Sequence, residues 1–153
     1  MSRVEEIAKS VLDAHWDGEL PVNPTAIAYK LGVSIVYDTD MKASGRYDIV
    51  KGKPVIYVNP FESQVRQRFT IFHELGHCVL GHGPAMRDQS RRGYDAKERD
   101  ANMFAAAMII PEGTLTACYE SGKYSFHEMA DAFGVSYTAL SIRMERQFML
   151  TKL

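Results

Sequence analysis

Residues 73–77 read His73-Glu74-Leu75-Gly76-His77, and the rest of the chain is organised around them. The H-E-x-x-H spacing sets two imidazoles four residues apart, with a carboxylate beside the first. In an α-helix positions i and i+4 share a face, so His73 and His77 can aim at one metal ion. Glu74 lies about 100° further round, near the edge of that face, where it can reach a water instead of the metal. The flanks Phe69-Thr70-Ile71-Phe72 and Cys78-Val79-Leu80 hold no charge and no proline. The motif helix is therefore apolar nearly all round, and such a helix is buried. Two histidines and a glutamate buried there are costly unless something binds them. Zinc accepts imidazole nitrogens, so one Zn2+ per chain is expected.

A catalytic zinc site takes three protein ligands and keeps a fourth position open. Cys78 follows His77 directly and points to another face, so it reads as a small buried apolar residue. His82 falls five residues after His77, whereas the metzincin pattern H-E-x-x-H-x-x-G-x-x-H requires six, with glycine at three. His82 is therefore read as a structural or pocket residue. The third ligand should come from a second rigid element. A helix predicted over 96–110 places Glu98, Ala101, Asn102, Ala105, Met108 and Ile109 on one stripe, with Pro111 ending it. Glu98 fits best, one turn before residues small enough to permit close approach; Asp95 and Asp100 are rivals. Asn102 can hydrogen-bond a ligating histidine and fix its ring.

Upstream, Val4, Ile7, Ala8, Val11 and Leu12 recur at helical spacing up to about Trp16. Asn23-Pro24 reads as a helix cap and first helical residue, with Gly32 as the stop after Leu31. Three strands are predicted over 33–37, 45–50 and 54–59, the last two joined as a hairpin by Lys51-Gly52-Lys53. Val55-Ile56-Tyr57-Val58 is apolar throughout, as a strand covered on both faces would be. Asn59-Pro60 reads as the start of the motif helix, whose stripe Val65, Phe69, Phe72, Gly76 and Leu80 ends at a left-handed Gly81. Residues 83–95 form a polar, turn-rich loop, either functional or a surface excursion.

Downstream, 112–120 is a short helical stretch. Ser125-Phe126-His127-Glu128 is a capping box opening a helix that Gly134 breaks, and Ser136 caps the next. Two short helices around a glycine resemble a helix-turn-helix. Residues 121–153 nevertheless carry four Lys/Arg against three acids, a poor grip for phosphates. A helical hairpin packed on the domain or on a partner is the better reading, and direct DNA binding is not expected.

The chain has 153 residues, a net charge of -1, 46% hydrophobic and 24% charged residues. That suits a single domain over 1–153, with one core, and argues against a nucleic-acid footprint. No membrane span or signal peptide is evident, and two distant cysteines, Cys78 and Cys118, make a reducing cytoplasm the simpler home. With zinc on His73, His77 and Glu98, Glu74 would serve as general base and acid in hydrolysing an amide. The oxyanion would need a donor, for which Tyr47, Tyr57, Tyr94 and His82 stand unranked. A strand edge beside the metal would suit an extended peptide.

Several blocks together resemble the ImmA/IrrE family of zinc metallopeptidases. They are Leu20-Pro21-Val22-Asn23-Pro24 with Ala26-Ile27-Ala28 and Leu31-Gly32-Val33; Arg68 through His77 to Leu80-Gly81-His82; and Glu98 through Ala106, ending at Pro111. The run from Met129 to Ser136, with Leu140 and Arg143, is also similar. The resemblance implies an α+β, thermolysin-like (gluzincin-type) fold, His73, His77 and Glu98 as ligands and Glu74 as catalytic acid/base. It implies an endopeptidase acting on a helix-turn-helix repressor of a mobile element or stress response. The N-terminal DNA-binding domain or C-terminal sensor domain of many members has no counterpart, so control by a separate protein or by abundance is expected. The competing reading is a non-cleaving antirepressor or toxin–antitoxin-type protein with a structural zinc. The intact Glu74 position favours the enzyme, since a structural site needs no base.

Overall fold

The computed structural model of the chain describes residues 1–83 and 91–148. Helix α1 (Arg3–His15) is opened by Ser2 and Glu5 in a reciprocal capping box. Helix α2 (Pro24–Lys30) follows, with Asn23 accepting from the Ala26 N–H as cap and Gly32 turning left-handed behind it (φ 78°). Three strands come next, β1 (Ser34–Tyr37), β2 (Gly45–Val50) and β3 (Lys53–Val58). They form one mixed sheet in the order β1-β3-β2, with β1 parallel and β2 antiparallel to the central β3.

The hairpin is tighter than its sequence suggests. Lys53 belongs to β3 and pairs with Val50, leaving a two-residue loop. Lys51 and Gly52 both have positive φ (52° and 78°), which is what the twist of a type I′ hairpin turn requires. Nor is β3 covered on both faces. Ile56 and Val58 are fully buried, while Val55 and Tyr57, pointing the other way, are only half covered.

The motif helix α3 runs Gln64–Val79 and is capped by Ser63, not by Asn59. Asn59 is instead buried, its amide donating to the carbonyls of Met41 and Ala43 while its oxygen accepts from the Phe61 N–H. The burial of α3 is one-sided at its start, where Val65 is exposed and Phe69 half-buried, and becomes full at Thr70, Ile71, Phe72, Leu75, Gly76 and His77. Helix α4 (Arg91–Ile109) begins five residues earlier than periodicity indicates, so Tyr94 and Asp95 are helical. Of the predicted loop, residues 84–90 lie outside the described residues.

Helix α5 (Glu112–Ser121) follows Pro111. Helices α6 (Phe126–Phe133) and α7 (Tyr137–Phe148) flank a left-handed Gly134 (φ 68°), each opened by the expected serine cap. This tail is fastened to the rest of the molecule by polar contacts. Arg143 donates to the Ala106 carbonyl on α4 at 3.0 Å, and Gln147 to Glu112 and Thr116 on α5. Arg68 of α3 donates to the Gly134 carbonyl at 2.7 Å. Residues 149–153 lie outside the described ones.

The architecture is α+β, with the small sheet packed on the motif helix. Its core joins Ile56 and Val58 of the sheet to Phe72 and Leu75 of α3 and to Phe104, Ala105 and Met108 of α4. Among the described residues no helix is long and apolar enough to cross a membrane.

Candidate metal centre

Two helices build the site, and a glycine sets their distance. A side chain at Gly76, between the two histidines, would come within 3.1 Å of the Phe104 ring and 3.3 Å of the Ala101 backbone. Gly76 and Ala101 thus let α3 and α4 touch almost backbone to backbone. Glu98 sits one turn before Ala101 and Asn102 one residue after it, so the same crossing carries both over the histidines.

The Glu98 Oε2 lies 2.8 Å from His73 Nε2 and 3.1 Å from His77 Nε2. The ligating atoms of these three residues all fall within 4.8 Å of one another. The His73 Nδ1 is 2.8 Å from the Asn102 Oδ1. An amide oxygen only accepts, so that nitrogen carries the ring proton and Nε2 is left as a lone pair. A lone pair facing a carboxylate oxygen is unfavourable unless a cation or a proton lies between them. Two imidazoles and a carboxylate are also the donor set of many catalytic zinc sites. The residues present therefore fit a divalent metal of zinc's type. Neither Cys78, Asp95 nor Asp100 joins the group among the described residues.

Glu74 stands beside these atoms, not among them, its Oε2 4.0 Å from His73 Nε2 and its side chain 12% exposed. Burial pushes its carboxyl up to about 7, and the Glu98 charge adds to the effect. Burial likewise pushes His77 down to about 4, assisted by His73 and opposed by Glu98. His77 is thus held neutral at physiological pH, the form a metal ligand needs.

The four candidate oxyanion donors separate by position. Tyr94, one turn before Glu98 on α4, donates a hydrogen bond to the Glu98 carboxylate, whose charge raises the phenol. His82 lies over His77, with its Nδ1 2.9 Å from the His77 Nδ1, and burial lowers it. The structure does not bring Tyr47 or Tyr57 to the metal group. Tyr47 is buried under α3 with its hydroxyl bonded to Cys78, and burial pushes it up to about 12. Tyr57 occupies the outer face of the sheet, where the Arg46 guanidinium covers its ring at 3.9 Å.

Two residues here escape sequence reasoning. Gly45, first in β2, lies against the motif helix so closely that a Cβ would collide with Thr70 Cγ2 and approach Glu74 Cγ to 3.5 Å. A glycine opening a strand is the available signal, since it often marks close approach of another backbone. Phe69 reads from its spacing only as core. It lines a groove of about 400 Å³ with Ser44, Gly45, Arg66, Thr70, His73, Glu74 and Asn102. That groove leads from the metal group along the start of β2.

Comparison with known proteins places the chain by family and by fold. The chain is 25% identical over 117 residues to an uncharacterized immunity region protein 2 of Bacillus phage phi105, covering 74% of this chain and 73% of that one. Its fold matches a transcriptional regulator of Mycobacterium tuberculosis with a TM-score of 0.64 at 18% identity, over 93% of this chain. The chain spans only 46% of that regulator. Residues 28–145 match the Peptidase_M78 family, described as the IrrE N-terminal-like domain, and the chain belongs to that family.

Proposed function

We propose that this chain is a zinc-dependent endopeptidase. Its substrate would be a specific protein, a helix-turn-helix transcriptional repressor of a mobile element or a stress response. The observation that carries the reading is the Glu98 Oε2 lying 2.8 and 3.1 Å from the two Nε2 atoms, with Glu74 beside the group and outside it. His73, His77 and Glu98 would hold the zinc. A zinc ion so held supplies Lewis acidity, polarising the scissile carbonyl and lowering the pKa of a water towards about 7. Glu74 takes the proton of the attacking water and returns it to the leaving amine. A carboxyl shifted towards neutrality suits a group that must act first as base and then as acid. Tyr94, hydrogen-bonded to Glu98, would stabilise the developing oxyanion.

A peptide substrate is supported by the edge of β2. The Asn59 N–H donates to the Ser44 carbonyl, so the bonded pairs of the hairpin are 44–59, 46–57, 48–55 and 50–53. Gly45, Tyr47 and Ile49 therefore turn their backbone groups to the open edge. The Ile49 N–H is taken by its neighbour Asp48 at 2.8 Å, leaving Gly45 and Tyr47 to pair with an extended chain beside the metal group.

A repressor as partner is supported by the phage immunity-region relative. Direct DNA contact by the tail is disfavoured because Arg143, one of its few cations, is buried against the Ala106 carbonyl. The cysteines Cys78 and Cys118 are both free, which fits a reducing cytoplasm. Co-expression with a candidate helix-turn-helix repressor, comparing wild type with Glu74→Gln, tests the reading. The wild type should cut the repressor and the variant should not. A repressor that loses function equally with both proteins while staying full length would show a non-cleaving antirepressor instead.

A further inference from the structure

Helix α3 ends in a turn that folds the chain back over its last ligand. The Gly81 N–H donates to the Cys78 carbonyl at 3.2 Å and the His82 N–H to the His77 carbonyl at 2.9 Å, with Gly81 left-handed at φ 73°. These two bonds define a Schellman motif, which returns the residue after the glycine over the residue five before it. An apolar contact commonly accompanies the motif near these positions. Here the returning and the covered residue are both histidines. Their ring centroids are 5.1 Å apart, and the two Nδ1 atoms are 2.9 Å apart.

We infer that His82 is a positioning residue: its Nδ1 accepts the proton of His77 Nδ1 and thereby fixes His77 with its Nε2 lone pair towards the metal. The inference rests on the metal reading proposed above. Of two nitrogens at hydrogen-bond distance, one must donate and one accept. The His77 Nε2 faces the Glu98 Oε2 at 3.1 Å, and a metal ligand needs that nitrogen unprotonated. The proton of His77 therefore belongs on Nδ1, and His82 carries its own on Nε2. Asn102 bears the same relation to His73 from the other helix. His77 is 2% exposed, so bulk water is poorly placed to take over the acceptor's role. His82 is not itself a fourth ligand: its Nδ1 is spent on His77, and it stands outside the group of converging ligand atoms. The spacing His77–Gly81–His82 that fails the metzincin pattern is thus the spacing a Schellman turn requires.

The test is zinc affinity of the full-length, metal-free protein, measured by competition with a chromophoric chelator for wild type, His82→Phe and His82→Asn. Phenylalanine keeps a planar ring and loses the acceptor; asparagine keeps an acceptor and loses the ring. His82→Phe should weaken zinc roughly 10–100-fold, as loss of such a partner does elsewhere, and His82→Asn should recover most of it. Unchanged binding by His82→Phe overturns the inference. An asparagine variant as weak as the phenylalanine one also overturns it, because ring packing alone would then explain the loss. A second measurement needs no variant and survives any failure to fold. Ring 15N shifts of the zinc-loaded wild type should place the His77 proton on Nδ1 and the His82 proton on Nε2, and a His82 protonated on Nδ1 overturns the assignment. A wild type that takes up no zinc overturns the metal reading itself and this inference with it, whereas the other results leave the metal reading standing.

Discussion

Gly45 leaves no room for a side chain beside Glu74 across the strand–helix boundary: a Cβ on the glycine would stand 3.5 Å from the glutamate Cγ and inside the Thr70 methyl. The backbone of Gly45 is not left-handed, so the restriction on this residue is space and not conformation. Gly45→Ala must therefore lift β2 off α3. It should destabilise the protein by about 1–3 kcal/mol, the usual cost of overpacking. Thr70→Ser removes the colliding methyl, and the double variant should recover most of that loss. Urea unfolding of the four proteins in the cycle checks this, and strictly additive losses would show that Thr70 is not the obstacle.

The second glycine couples stability to the site. Gly76→Ala gains roughly 1 kcal/mol of helix propensity but sets a methyl 3.1–3.3 Å from Phe104 and Ala101. The helices must separate, so the net effect should be destabilising and zinc binding should weaken as Glu98 moves away from His73 and His77. Gly113→Ala is the matched control, being helical with nothing within 4 Å of the added carbon. It should stabilise by about 0.4–1 kcal/mol and leave zinc affinity unchanged. Equal behaviour of the two variants in melting and metal titration would refute close helix approach as the role of Gly76.

Among the four candidate oxyanion donors, position makes Tyr94 the one to test. Tyr94→Phe should lower kcat on the cleaved repressor by about 100-fold, the scale of losing one oxyanion donor. Tyr47→Phe and Tyr57→Phe should leave kcat within a few-fold of wild type, since neither side chain reaches the metal group. A Tyr57 variant as impaired as the Tyr94 one would sink this ordering.

Features written in neighbouring residues are legible in the sequence alone. Asn23-Pro24, Ser125 with Glu128, and Gly134 mark helix ends through bonds to residues three or four away, and all three stand where the sequence places them. The H-E-x-x-H face and the Glu98 stripe are also local, since helical period alone aligns their side chains. Features decided by distant partners are not legible in this way. Asn59 looks like a helix cap, but its amide is claimed by carbonyls 16 and 18 residues upstream. Periodicity places the start of α4 too late because Gly93 is a poor helix former, while Tyr94 is drawn into the helix beside Glu98. Alternation along β3 tells Tyr57 apart from Ile56 and Val58, but not which face meets α3. His82 in the sequence invites comparison only with a ligand pattern, and its relation to His77 emerges once Gly81 is seen to reverse the chain.

The shifts of Glu74 and His77 oppose one another, and this gives a pH prediction for the metal-free protein. Glu74 rises on folding from 4.5 to about 7, so its contribution to stability is fully present below pH 4.5 and is lost as pH climbs through 7. His77 falls from 6.5 to about 4, so its contribution is present above 6.5 and is lost as pH drops through 4. Between pH 4.5 and 6.5 one residue gains what the other loses, and wild type in chelator should show a shallow stability profile. Glu74→Gln removes the first contribution and should expose the second, so that its stability climbs steadily from about pH 4 to 6.5. Chemical denaturation of both proteins at half-unit pH steps, with chelator present, measures the two slopes. Parallel profiles would mean that Glu74 keeps its ordinary pKa on folding, and the carboxyl would then be ionised at neutral pH, a base from the outset and a poor acid for the leaving amine.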